Sequence, residues 1–502
     1  MRFTIGQLLS AASARYAAKE ALVTPDRTLT IDELDRLSTA CAGHLWARGV
    51  RHGDRVTIWM ENGWRWMVAY YGALRLGAVV NPCNILLAAD EVEFIVRDCG
   101  AKVVIVGRQK GAELRGRTSA LVIIDDGDAD TDINFESLQD SSESDHALRG
   151  QLDGADTAAI VYTSGTTGRP KGAQLSHSTI VLNTLMTAQM HGRSSSDTVV
   201  SALPCTHVYG NIVMNAAVLC GMKLVLLPRF DEMAILRAIQ THRATMFEGV
   251  PTMYLRLLNC PEFGRFDLSS LRVCTVGGQS MPVAQMEEVE RRFGCRLLEL
   301  WGMTELGGLG TTHPHDGPRH LGSIGVPLPL TEVRVTAMGS QGSDVPRGDV
   351  GEFLIRGPLV MQGYFGDEAA TSAAIDTDGW LHTGDVVRQD TDGYVYLVDR
   401  LKEVIVSGGY KVYPAEVERV IAGHPAVAMV AVAGMRDGMM GLVPRAFIVL
   451  RTGASCVGQD IIEHCRPQLA TFKVPRAVVF CEDLPKTSTG KIMRRALADS
   501  NA

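Results

Sequence analysis

The stretch 162–172, YTSGTTGRPKG, limits the choice of fold more than any other part of the chain. An apolar run of buried-strand type, TAAIV at 157–161, leads into it. Helical spacing over 176–190 follows, with Ser176 or Ser178 as candidate cap. A strand that empties into a loop of Gly, Ser and Thr leaves backbone N–H groups free to converge on an anion. Glycine permits close approach, hydroxyls add donors, and Lys171 or Arg169 adds positive charge. Such clusters are usually flexible surface turns. An eleven-residue loop ending in Pro-Lys-Gly is a poor linker, however, and a phosphate-binding loop accounts for it better. It is not the usual P-loop, which needs Gly-Lys-Ser/Thr opening a helix, because Lys171 here precedes Gly172 and Ala173. Nor does a Gly-x-Gly-x-x-Gly follow any strand signal.

Around this loop the periodicity alternates. Helical spacing over 31–48, 63–76 and 89–99 is interleaved with β-type runs at 55–60, 78–80 and 102–106. Beyond the loop, helices are expected at 212–220, 233–241, 252–259 and 282–293, and strands at 222–227, 244–248, 272–276 and 296–300. This order predicts an α/β protein with a large N-terminal domain of βαβ layers. From about Gly351 the texture changes to short β runs set apart by glycine, with Thr391-Asp392-Gly393 as a hairpin turn. An antiparallel β-subdomain is therefore expected over about 325–399, completing a domain of 1–399. The charged, narrow join at 400–403 reads as a hinge. Residues 404–502, with a helix near Pro414, strands at 427–433, 445–450 and 476–480 and a helix at 459–470, read as a small mobile C-terminal α+β domain.

Charge and composition remove other classes. A net charge of −7 over 502 residues leaves no broad basic face for nucleic acid. Nine of the acids fall in 125–148, which has no Lys or Arg and reads as a solvated loop. Eleven cysteines without a Cys-x-x-Cys pair suggest neither a disulfide framework nor a zinc site, so a reducing cytoplasmic setting is expected. The N-terminal twenty residues lack a sustained apolar core and read as an amphipathic helix, not a signal. The most apolar stretch, 212–227, is broken by Asn215 and Lys223 and is too short to span a membrane.

Five further stretches carry chemistry. LWGMTE at 300–305 sets an aromatic beside glycine, then a hydroxyl and a carboxylate, a combination that suits a flat base, a phosphate and a divalent cation. A Thr-Glu pair alone is more often a helix start. WLHTGD at 380–385 puts Asp385 after a glycine, either a turn aspartate or an acceptor for a vicinal diol. GGQSMP at 277–282 follows a strand and opens a helix. LKEVIVSGGYKVYPAEVE spans 401–418, and PKTSTGK ends at Lys491 in what is generically a solvated basic tail.

Together with the first loop, and in this order, these stretches resemble the adenylate-forming superfamily: acyl-CoA synthetases, aryl-CoA ligases, luciferases and carrier-loading adenylation domains. The resemblance spans nearly the whole chain. It implies ATP, Mg²⁺ and CoA as co-substrates and ions, and a small carboxylic acid as the group activated. Thr163, Ser164, Gly165, Thr166, Thr167, Gly168 and Lys171 would hold the phosphates, and Gly278, Gln279, Ser280, Glu299, Trp301 and Gly302 the adenine side. Thr304 would bind the α-phosphate, Glu305 with Thr163 the metal, and Asp385 with Arg400 the ribose. Lys491 would be the catalytic lysine, Lys402 the hinge, and Gly408, Gly409 and Lys411 the CoA passage. His207, Val208, Tyr209, Gly277, Met303, Leu306 and Gly307 would line the acyl pocket, with His207 equally readable as a core histidine. Two departures stand out: Trp301 replaces the commoner Tyr, and 277–282 differs from the usual Gly-Ala-Ala-Pro-Leu.

Acyl-AMP formation brings two anions together, so the site must neutralise charge, and preorganised donors do this best. The second step, thioester formation, needs the thiol where Lys491 had been. Neither pocket segment offers Lys or Arg to a second carboxylate, and glycine on one wall leaves room for length. A medium or longer fatty acid is the first expectation, with an aryl or hydroxycinnamic acid as alternative. A carrier-protein-loading enzyme and a non-catalytic nucleotide-binding protein are the readings of other classes. Nothing in the sequence fixes an oligomeric state. Lys491→Ala is expected to lower acyl-AMP formation by about 10²–10³-fold while still converting supplied acyl-AMP to thioester. Equal loss of both half-reactions in rapid-quench assays would refute that role.

Overall fold

The structure is a computed structural model that describes residues 3–125, 132–140, 152–163, 170–338, 342–485, 492 and 494–498. Its strands form four sheets. In one, Glu20–Val23, Lys223–Leu226, Thr198–Ser201, Met246–Gly249, Val273–Val276 and Arg296–Met303 run parallel. Antiparallel strands complete that sheet at both edges. In a second, Thr157–Thr163, Val79–Pro82, Arg55–Trp59, Val103–Val106 and Leu121–Ile124 run parallel, and Lys171–Ser176 and Gly363–Tyr364 add antiparallel at one edge. Strands buried on both faces are near-continuous Val/Ile/Leu runs, as VVIV at Val103–Val106 illustrates.

The two sheets share one core with the helices Ile5–Tyr16, Ile31–Ala47, Trp64–Arg75, His177–Met190 and Val208–Cys220. Two of these helices start where the sequence supplies a clear cap. Thr30 accepts from the Glu33 N–H while Glu33 reaches back to the Thr30 N–H, the reciprocal pair that satisfies two orphan donors. Ser176 accepts from the Thr179 N–H and so fixes the start of His177–Met190.

A four-stranded antiparallel sheet follows (Glu332–Thr336, Val350–Arg356, Leu381–Gln389 and Val395–Arg400). A single 3₁₀ turn, Leu401–Glu403, with no buried residue, leads out of it. The remainder builds its own sheet around the long hairpin of Val427–Asp437 and Gly441–Leu450, packed on the helices Pro414–Ala422 and Gly458–Cys465. Arg494 ties this unit to the turn, pairing with Glu418 at 2.6 Å and with Glu403.

Three expectations change. After the glycine-rich loop the chain forms the strand Lys171–Ser176, antiparallel to Thr157–Thr163, before any helix begins; alternating Ala173 and Leu175 bury one face of it. The helix expected at 459–470 ends at Cys465 because Pro467 has no N–H to continue it. The acidic stretch is not wholly a solvated loop. Ile133, Phe135 and Leu138 are buried, Phe135 lies edge-on to Trp64 at 6.1 Å, and Glu136 pairs with Arg27 and Arg65. All eleven cysteines are free thiols. Among the described residues no helix is long and apolar enough to cross a membrane.

Candidate active site

The parallel strands Met246–Gly249, Val273–Val276 and Arg296–Met303 end at one edge of their sheet, where a doubly layered α/β protein places its ligands. Val273–Val276 runs into Gly277 and Gly278; the latter has φ +90°, which favours glycine. A Cβ on Gly277 would lie 2.2 Å from Leu300, so this loop presses against the neighbouring strand. Gln279 and Ser280 carry it to the helix Val283–Phe293.

Beyond the edge, Arg296–Met303 turns back through the 3₁₀ turn Thr304–Leu306 into Gly308–Thr312. Gly302 permits that reversal, since a Cβ there would meet the Gly308 carbonyl oxygen at 2.1 Å. Trp301 lies against Gly310 and edge-on to Phe353, with ring centroids 5.2 Å apart. Its indole N–H donates to Asp385 Oδ2 at 2.8 Å, and Arg400 Nε pairs with Asp385 Oδ1 at 2.8 Å. The tryptophan thus loses the phenol hydroxyl of the commoner tyrosine and gains a donor aimed at Asp385. Trp301 and the Asp385–Arg400 pair, read separately from sequence, form one connected group.

A second group gathers beside it. Thr163 stands opposite Lys171 in the hairpin that brackets the loop. Lys171 Nζ lies 5.4 Å from the centre of the Tyr364 ring, and the Tyr364 hydroxyl donates to Glu305 Oε1 at 2.8 Å. Burial, reinforced by the Glu305 carboxylate, holds the Tyr364 hydroxyl well above its ordinary pKa, so it stays a proton donor. Tyr364 escapes sequence reasoning; its one signal is a Gly-Tyr just ahead of Asp367, which caps the helix Glu368–Ala374. Ser164, Gly165, Thr166, Thr167, Gly168 and Lys491 lie outside the described residues.

The acyl-side residues divide. His207 caps the helix Val208–Cys220, its Nδ1 accepting the Tyr209 N–H at 3.2 Å. Val208 and Tyr209 begin that helix and are buried. Met303 is half-buried ahead of Thr304, and Leu306 is fully enclosed in the main core. The space that glycine frees at Gly307 and Gly308 is taken by Thr179, Asn183 and Ile212, so these glycines serve close packing and do not lengthen a pocket. In the C-terminal part, Gly408 and Gly409 both have positive φ, the turn geometry that joins Ile405–Ser407 to Tyr410–Val412. Lys411 is exposed, its Nζ 3.8 Å from Met338 Sδ.

Two family models match the chain: AMP-binding enzyme over residues 9–365 and AMP-binding enzyme C-terminal domain over 416–491. The chain belongs to the AMP-binding enzyme family. It is 32% identical to the long-chain-fatty-acid–CoA ligase of Bacillus subtilis (strain 168), covering 99% of this chain and 94% of that one. It is 36% identical to the 3-[(3aS,4S,7aS)-7a-methyl-1,5-dioxo-octahydro-1H-inden-4-yl]propanoyl:CoA ligase of Mycobacterium tuberculosis (strain ATCC 25618 / H37Rv), covering 95% of each. The crystal structure of ATP-bound MatB from Rhodopseudomonas palustris superposes with a TM-score of 0.91 at 31% identity over 99% of both chains. The fold is therefore that of the adenylate-forming enzymes, with a large N-terminal domain and a small C-terminal one, and the protein is an AMP-forming CoA ligase acting on a carboxylic acid, ATP and CoA with Mg²⁺.

The donor set suits that metal. Mg²⁺ binds one or two carboxylates and completes its shell with phosphates and water. Among the described residues no group of three or more His, Cys, Asp or Glu side chains is placed to hold a metal ion by itself, whereas Glu305 offers one carboxylate steadied by Tyr364.

Glu299, two residues before Trp301, is buried, and its Oε2 has no hydrogen-bond partner among the described residues. Burial pushes its carboxyl up to about 8, against the Met281 N–H and the charge of Arg419, which pull it down. A carboxyl raised in the folded state keeps its proton longer there, so its contribution to stability falls as pH rises from about 4.5 to about 8, by on the order of 4 kcal/mol. Thermal melts of Glu299→Gln and the parent chain should therefore diverge as pH rises from 5 to 8, the parent losing ground. A pH-independent gap would mean that Glu299 titrates as an ordinary glutamate.

Proposed function

We propose that the chain joins a fatty acid of medium length to CoA by way of an acyl-AMP. Activation replaces a poor leaving group, the carboxylate oxygen, with AMP as pyrophosphate departs. The observation that carries this reading is that two groups, Trp301–Asp385–Arg400 and Lys171–Tyr364–Glu305, are both built on the one reversal at 301–305. The first suits a nucleoside: a flat indole, a carboxylate for the ribose hydroxyls and a guanidinium that orients it. The second suits a triphosphate, with a cation beside a carboxylate able to hold Mg²⁺. That ion, when bound, neutralises phosphate charge and orients the leaving pyrophosphate. Loop residues 163–168 would cradle the phosphates, Thr304 the α-phosphate, and Gly278, Gln279 and Ser280 the adenine edge.

Lys491 would bridge acid and α-phosphate in the first step and withdraw for the second. The division that allows this is 1–399, a hinge at 400–403 and 404–502. Lys402 sits in the exposed 3₁₀ turn, the kind of element that absorbs a backbone rotation. Gly409 stands at an open turn with nothing within 4 Å of a Cβ built on it, which leaves room for a pantetheine arm guided by Lys411. A second reading, an aryl acid, is favoured by the enclosed walls at Leu306 to Gly308 and by Tyr209. The named acids of the relatives fall on both sides, one a long fatty chain and one a dioxo ring system.

CoA-dependent AMP release, scored over straight-chain acids and arylpropenoic acids, tests the assignment. Octanoate to dodecanoate should give the highest kcat/KM, and a maximum among the arylpropenoates would select the second reading. AMP release with a pantetheinylated carrier protein and none with CoA would exclude both. Lys402→Pro should retain ATP–pyrophosphate exchange and lose most thioester formation. Unimpaired overall turnover in that variant would remove the hinge from residue 402.

A further inference from the structure

Tyr364 closes the two-residue strand Gly363–Tyr364, which adds to the edge strand Lys171–Ser176 with Tyr364 opposite Ala173. Its neighbours are bonded to that strand on both sides. The Gln362 N–H donates to the Gln174 carbonyl at 2.9 Å, and the Phe365 N–H to the Gly172 carbonyl at 2.8 Å. The Tyr364 N–H donates to Thr371 Oγ1 at 2.8 Å, so its backbone is pinned to the helix Glu368–Ala374 as well. The same segment grips Glu305 twice: the Met361 N–H donates to the Glu305 carbonyl at 2.8 Å, and the Tyr364 hydroxyl reaches the carboxylate. With the ring face turned to Lys171, the hydroxyl is the part of Tyr364 left to act on Glu305.

That contact makes the two carboxylate oxygens unequal. An ionised carboxylate has acceptors only, so the tyrosine donates and Oε1 accepts, at 2.8 Å. Among the described residues this is the one hydrogen bond to the Glu305 carboxylate. An oxygen that already accepts a proton has given up part of its negative charge, and it is the poorer ligand of the two. Oε2 is left as the better one. The difference matters because divalent cations use carboxylates in different ways. Mg²⁺ is small, keeps near-ideal octahedral geometry and several waters, and takes one oxygen from each of one or two carboxylates. Ca²⁺ is larger, gathers six to eight oxygens, and readily takes both oxygens of a single carboxylate.

We propose that Tyr364, by occupying one oxygen of Glu305, makes that carboxylate a one-oxygen ligand and so favours Mg²⁺ over Ca²⁺ beside the nucleotide phosphates. The inference rests on the reading of Glu305 as the carboxylate that holds the metal. Tyr364 acts here as a positioning residue: it touches the ligand and not the ion. Its backbone bonds fix where the hydroxyl stands, so the carboxylate cannot turn both oxygens outward without giving up the bond at Oε1. Partners of this kind, one step removed from a metal, typically change its affinity 10–100-fold when removed. The competing account is that Tyr364 only fills space and its hydroxyl satisfies a buried acid. On that account loss of the hydroxyl would weaken every metal alike, or none.

Calorimetric titration of the full chain with α,β-methylene-ATP, whose α–β linkage resists cleavage, tests this without turnover. Kd is measured in saturating Mg²⁺, in saturating Ca²⁺ and in EDTA. The parent should bind more tightly with Mg²⁺ than with Ca²⁺. Tyr364→Phe keeps the ring and its place against Lys171, and should narrow that preference about tenfold while leaving Kd in EDTA unchanged. Glu305→Gln should bring the preference toward one, and adding Tyr364→Phe to it should change nothing further. A preference that survives Tyr364→Phe but not Glu305→Gln overturns the inference and leaves Glu305 as the metal's carboxylate. Equal Kd for the two ions in the parent, or a Tyr364→Phe effect of the same size in EDTA, also overturns it. A metal preference that Glu305→Gln leaves untouched removes Glu305 from the metal site, and this inference with it.

Discussion

The short reversal after Arg296–Met303 is the constraint on which the site depends. Two backbones meet there with no side chain between them, because Gly302 faces the Gly308 carbonyl. Only that closeness lets Trp301 tuck against Gly310 and turn its indole N–H toward Asp385. Asp385 belongs to a different sheet, and its strand partner Arg400 is the last residue before the turn that leads to the C-terminal part. One hydrogen bond and one ion pair therefore join the end of the large parallel sheet, the β-subdomain and the exit to the C-terminal unit. A residue larger than glycine at 302 would disturb Trp301 and the strand Gly308–Thr312 together.

The interior treats its acids in three ways, and the differences follow from their partners. Asp385 accepts from an indole and pairs with a guanidinium. Asp399 is buried beside the Ala415 N–H and near Arg494, and burial still raises its carboxyl to about 6. Glu299 has less to compensate it and is raised further. Buried groups of this kind cluster where a protein has a function to perform. Here two of them stand near cations of the C-terminal part, Glu299 near Arg419 and Asp399 near Arg494.

Much of the fold is written in local pattern. The boundaries of Ile31–Ala47 and Val283–Phe293 follow from the Thr30–Glu33 box at one start and from Gly294, at φ +71°, at the other end. The strand Lys171–Ser176 was hidden because its alternation is short and its neighbour is a loop rich in turn residues. The motif residues were readable singly, since glycines, carboxylates and aromatics at fixed spacing announce themselves. What joins them was not. Trp301 and Asp385 are 84 residues apart, and Tyr364 and Glu305 are 59 apart. Such pairings come from sheet order, which a strand's own residues do not encode. Glu248 shows the same limit from the other side: within its strand, MFEG, it reads as an interruption, and only the loop after His177–Met190 and the start of Val208–Cys220 bring Arg193 and Tyr209 to it.

Two kinds of polar surface therefore stand apart in the structure. In one, charge is exposed to rearrangement: Lys171 rests on a ring face with no carboxylate bond of its own described, and Lys411 stands in solvent. A cation held that loosely can follow a phosphate as charge shifts. In the other, each polar group is fixed by a neighbour that is itself fixed, from Thr312 through His191, Arg193, Glu248 and Thr275 to Tyr209. Selection by shape and hydrogen bonding needs rigidity, because a group free to turn away accommodates the wrong acid as readily as the right one. Chemistry that passes through two arrangements needs the opposite. The chain keeps its fixed polar network inside the core between its sheets and its loosely held charges at the margin.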